Sequence, residues 1–102
     1  MAFQVVIKAE ARKDVIEAYH FYETKLTGLG DIFLESFENR CHDLSQNPSF
    51  YSLISEDPKA VLRDVKLNRF PFVLVFEIIA SEVIVYAVHC TYIDPEKKLR
   101  NE

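Results

Sequence analysis

One run constrains this chain more than any other. Phe72-Val73-Leu74-Val75-Phe76-Glu77-Ile78-Ile79 holds one charged residue among apolar ones, most of them β-branched or aromatic. Such a run makes a poor helix and is too apolar to lie half exposed. It reads as a central strand that the other elements must cover. Leu67-Asn68-Arg69-Phe70-Pro71 precedes it as a basic turn. Polar groups at the mouth of the most rigid strand are held still, so a site is expected near that turn.

The rest of the chain supplies the cover. Residues 3–7 are rich in β-formers and read as a first strand. Residues 9–26 have helical period, with Ala11, Val15, Ala18, Tyr22 and Leu26 on one stripe and Arg12, Lys13, Glu17 and Glu23 off it. Thr27-Gly28-Leu29-Gly30 ends that helix, and both glycines are expected to take positive φ. Asp31 is the expected N-cap of a second helix, with Glu35 in its first turn and Phe33, Phe37, Cys41 and Leu44 as its stripe. Asn47-Pro48 stops it. The short link makes the two helices an antiparallel hairpin. Residues 49–59 form a loop whose Phe50, Tyr51, Leu53 and Ile54 are expected to tuck beneath it. Strands follow at 61–67, 72–79 and 83–90. The order is βααβββ, an α+β domain with a helix hairpin packed on a mainly antiparallel four-stranded sheet.

Composition limits the function classes. The 102 residues make a single domain, 49% apolar and 27% charged. No apolar run approaches the roughly 20 residues of a membrane span. Residues 1–8 lack the basic lead and apolar stretch of a signal peptide. Two cysteines do not make a disulfide framework. A cytoplasmic protein without membrane attachment is expected. The net charge of −4 argues against nucleic-acid binding over the whole surface. The acidic excess lies in residues 1–58, whereas Lys59, Arg63, Lys66 and Arg69 form a small basic cluster around the turn.

Several pieces now stand in order: Ala18-Tyr19-His20-Phe21-Tyr22-Glu23, Gly28-Leu29-Gly30-Asp31-Ile32-Phe33, Asn47-Pro48 with Tyr51, and Leu67-Asn68-Arg69-Phe70-Pro71-Phe72. Val85-Tyr86-Ala87-Val88 and Asp94-Pro95-Glu96-Lys97 complete the set. Together they resemble the RelE/ParE superfamily of small bacterial toxins, the toxin halves of type II toxin–antitoxin modules, which includes the plasmid stabilisation proteins. The resemblance covers nearly the whole chain, 1–102, as one toxin domain. It implies a cognate antitoxin partner and one of two targets. ParE-like members inhibit DNA gyrase. RelE-like members are mRNA endonucleases (mRNA interferases) that cut in the ribosomal A site without a metal. A third alternative is a member that keeps only antitoxin binding.

Metal-free RNA cleavage needs a base for the 2′-OH, cations for the phosphorane and an acid for the leaving oxygen. The residues for such a role are Arg63, Arg69 and Tyr92, with Lys66 and His89 nearby in sequence. Arg69 matches the family's arginine before Phe-Pro. In a straight strand Arg63 and Lys66 point to opposite faces. On the family's register Cys90 stands at the usual His position, and Tyr92 and Ile93 stand where arginines are usual. Missing cations leave enzymatic activity open and place the ParE-like reading first. No cofactor or metal is expected: Cys41-His42 and His89-Cys90 lack zinc-ligand spacing, and Gly28-Leu29-Gly30 follows a helix rather than a strand. Cys41 is expected to be inert core and His20 exposed.

Overall fold

The computed structural model describes residues 2–54 and 58–91. Strand β1 (Gln4–Ile7) leads into helix α1 (Ala9–Lys25), and helix α2 (Leu29–Gln46) returns beside it. A single 3-10 turn at Pro48–Phe50 follows, then β2 (Leu62–Lys66), β3 (Phe72–Ile79) and β4 (Glu82–Cys90). The strands lie in the order β1-β4-β3-β2. β1 runs parallel to β4, and the other two pairings are antiparallel. The helix hairpin packs on one face of this sheet, giving the two-layer α+β architecture expected from the element order.

β3 is central, flanked by β2 and β4. Its Phe72, Leu74 and Phe76 are buried against the helices, where they meet Phe33, Phe37 and Leu44 of α2 and Ala11, Val15 and Ala18 of α1. Val73 and Val75 point away from the helices and are half-buried, so β3 is covered fully on one face only. β4 contains a β-bulge. Val75 pairs with Ala87 and Phe76 with Val85, which leaves Tyr86 as the extra residue. The bulge shifts the alternation by one position, so Val83, Val85 and Val88 all reach the core.

The helix hairpin differs from the sequence expectation in four ways. α2 begins at Leu29 rather than after Asp31, because Gly28 takes φ 92° and turns the chain there. Glu23 of α1 accepts hydrogen bonds from the amides of Gly28 and Gly30, both at 2.9 Å, and so does the work expected of Asp31. Gly30 has no positive φ; a Cβ there would lie 2.8 Å from the Tyr19 backbone oxygen, so its glycine serves close helix packing. Leu26 is not on the buried stripe. It lies beyond the last helical residue and is 65% exposed. In the following loop Phe50 is 74% exposed and Leu53 is also exposed, against expectation, while Tyr51 and Ile54 are half-buried. Leu53 forms a bridge to Arg63 at the edge of β2, where no further strand covers it.

The two glycines therefore predict different responses. Gly30→Ala drives a methyl into backbone and should destabilise by about 1–3 kcal/mol in urea denaturation. Gly28→Ala meets nothing within 4 Å and should cost only the backbone strain, about 1 kcal/mol. Equal losses for the two variants would contradict the packing role of Gly30.

Candidate functional site

The turn between β2 and β3 is built from below and fixed from one side. Its floor is aromatic. Phe70 packs edge-on against Tyr22 and Phe33, with ring centroids 4.9 and 5.3 Å away. Phe72 stands 5.2 Å from Phe33. The backbone closes on itself through the Leu67 amide donating to the Phe72 carbonyl at 2.9 Å. The residue after β4 supplies a further tie, the Thr91 amide donating to the Pro71 carbonyl at 2.6 Å.

α2 holds the turn by its polar face. The Ser36 hydroxyl donates to the Asn68 carbonyl at 2.8 Å. Arg40 Nη2 donates to Asn68 Oδ1 at 3.0 Å, and its Nη1 reaches Asp43 at 3.1 Å and the Tyr51 hydroxyl at 3.4 Å. One guanidinium thus ties α2, the loop after it and the turn. Sequence reasoning missed this residue. The available signal was that Arg40 is the lone Lys/Arg in an otherwise acidic helix.

Arg69 sits at the exposed tip, with φ 74°. Among the described residues its side chain makes no hydrogen bond or ion pair; Glu77 is engaged by the Tyr86 hydroxyl at 2.7 Å instead. Beside it lies a polar cleft of about 280 Å³, lined by Ile32, Glu35, Ser36, Asn39, Asn68 and Arg69.

The other residues singled out in the sequence lie elsewhere. Arg63 stands opposite Phe76 on the helix-facing side of β2, and Lys66 stands opposite Val73 on the outer side. The expected alternation holds, and β2 has no bulge to bring the two together. Arg63 Nη1 donates to the Tyr51 carbonyl at 2.5 Å and to the Ser49 carbonyl at 3.5 Å, so its charge is directed at the loop backbone. Tyr92 lies outside the described residues. His89 and Cys90 border a separate groove with Asp14, Glu17, Phe21 and Tyr22. His20 is exposed. Neither cysteine is in a disulfide, and no group of three potential metal ligands occurs among the described residues. Burial, reinforced by Glu38, pushes the Cys41 thiol up to about 12, which keeps it protonated and unreactive at neutral pH.

No family model matches the chain, and no curated protein matches it. Solved structures do. A chain of the chromosomal ParDE toxin–antitoxin system of P. aeruginosa superposes with a TM-score of 0.74 at 18% identity, over 89% of this chain and 98% of that one. A chain of the toxin–antitoxin complex RelBE2 from Mycobacterium tuberculosis gives a TM-score of 0.62 at 20% identity, over 88% of this chain and 92% of that one. The chain therefore shares the fold of these two toxin–antitoxin chains, the fold that the ordered sequence motifs imply. No helix among the described residues is long and apolar enough to cross a membrane.

Two measurements probe this region. Arg40→Ala removes the clasp and leaves Asn68 Oδ1 without its protein donor; urea denaturation should show a loss of about 1.5–3 kcal/mol. For Cys41 the folded state holds the proton more tightly than the unfolded state, whose thiol has a pKa near 9.0. Its contribution to stability is full below pH 9 and is lost as pH rises toward about 12. Wild type should therefore lose stability between pH 9 and 11 more steeply than Cys41→Ala, by up to about 1.4 kcal/mol per pH unit.

Proposed function

We propose that this chain is the toxin of a type II toxin–antitoxin module, acting in the cytoplasm as a ParE-like inhibitor of DNA gyrase and neutralised by a cognate antitoxin. The observation that carries the reading is the superposition on a ParDE chain over nearly its whole length. The site supports a protein-binding mode rather than RNA cleavage. Phosphorane stabilisation calls for several cations converging on one point. Arg63 is committed to loop carbonyls, Lys66 stands on the opposite face of β2, and Arg69 is at the tip of the turn.

The second reading is a RelE-like, metal-independent mRNA endonuclease that uses Arg63, Arg69 and Tyr92. The likeness to the RelBE2 chain favours it. It requires Arg63 to exchange its carbonyl partners for a phosphate.

Induced expression in a bacterium should stop growth, and co-expression of a short neighbouring reading frame should restore it. Purified protein should inhibit gyrase supercoiling and leave mRNA on programmed ribosomes intact. Cut mRNA with unaffected gyrase would establish the endonuclease reading instead. Unimpaired growth would exclude both and leave a fold that retains antitoxin binding alone.

A further inference from the structure

Arg69 combines three properties. It occupies left-handed backbone, which a side chain with a Cβ resists and glycine adopts freely. Its backbone is held still, with Asn68 bonded to both Ser36 and Arg40 and Phe70 seated on Tyr22 and Phe33. Its guanidinium has no partner among the described residues although Glu35 lines the same cleft. Ala60 and Ala80 also take positive φ, but they carry no functional group beyond a methyl. At position 69 the backbone would be relaxed by glycine and carries a long cation instead.

We propose that Arg69 is the toxin's target contact, an arginine fixed in a strained backbone so that its guanidinium receives a carboxylate of a protein target. This rests on the toxin reading above. The fixed backbone lowers the backbone part of the entropy lost on binding, and the planar guanidinium offers its donors in a rigid fork. The surroundings select a carboxylate over a nucleic-acid backbone. Asp31, Glu35 and Glu38 line the surface of α2 that continues from the cleft, and a run of phosphates would meet all three. A single carboxylate brings one charge to Arg69 and has Glu35 as its acidic neighbour in the cleft, a smaller repulsion than a run of phosphates would meet. Ile32, 42% exposed in the same cleft, offers an apolar contact to the residue beside it. Ser36 and Arg40 are positioning residues: they hold Asn68 and through it the direction of Arg69.

Arg69→Gly separates function from stability. The variant should melt no lower than wild type, since the strain is relieved. Its half-inhibitory concentration for gyrase supercoiling should rise about 10- to 100-fold, as for loss of a charge-assisted pair. Arg69→Lys keeps the charge without the fork and should fall between the two. If Arg69→Gly loses both melting temperature and inhibition, the arginine is structural and the proposal fails. If it inhibits gyrase as wild type does, the proposal fails while the toxin reading stands. If wild type cuts ribosome-bound mRNA and Arg69→Gly does not, the partner is a phosphate and the carboxylate assignment is overturned. If wild type neither arrests growth nor inhibits gyrase, the toxin reading falls and the proposal with it.

Discussion

The packing of Phe33 is the contact on which the rest depends. Its side chain is fully buried, and its ring lies 5.6 Å from Tyr22, 5.3 Å from Phe70 and 5.2 Å from Phe72. Four segments therefore meet at one residue: α1, α2, the turn and β3. That convergence requires the two helices to approach closely, which Gly30 permits against Tyr19. Apolar burial supplies the cohesion here, since buried aromatic side chains remove the largest areas from water. The Ser36 and Arg40 hydrogen bonds add direction. They determine which way the turn faces once the aromatic floor has fixed where it sits.

The two arginines of the basic region illustrate how position decides what a charge can do. Arg63 projects from the helix-facing side of a strand, where an unbonded guanidinium would be costly. It takes the carbonyls of Ser49 and Tyr51 and so fastens the loop after α2 to the sheet. Arg69 projects from a turn into solvent, where no such demand exists. The same side chain closes the fold at one position and is left available at the other. Arg40 lies between these cases. Its Nη atoms are bonded while its buried Nε has no partner among the described residues, so the clasp gives back part of what it contributes.

Elements defined by their own pattern were legible in the sequence. Phe72–Ile79 is the third strand with those same bounds, because its composition excludes a helix and its length suits a strand. The helix stripes Ala11, Val15, Ala18 and Phe33, Phe37, Leu44 were legible for the same reason: a period of 3.6 is a local property. What depended on distant partners was not. The four-residue β1 carries no mark of its edge position or its parallel pairing. Gly28 and Gly30 look alike in sequence, yet one turns the chain and the other makes room for Tyr19. Arg40 could be noticed as a lone cation, but its bond to Asn68 spans 28 positions and belongs to the tertiary structure. Likewise, nothing local to Arg63 foretold that loop carbonyls would claim it.

The parallel pairing of β1 with β4 has a consequence for how such a chain is made. β1 is synthesised first, yet its partners Glu82 to Val85 emerge only after β3 is complete. Until then the first strand has no ladder to join, and the helix hairpin covers an unfinished sheet. Pairings across so much sequence close slowly and late. β4 also completes β3, so a chain interrupted before Glu82 lacks β1's partner and one of β3's two at once. The architecture thus withholds its folded form from any ribosome-bound fragment that stops short of the last strand.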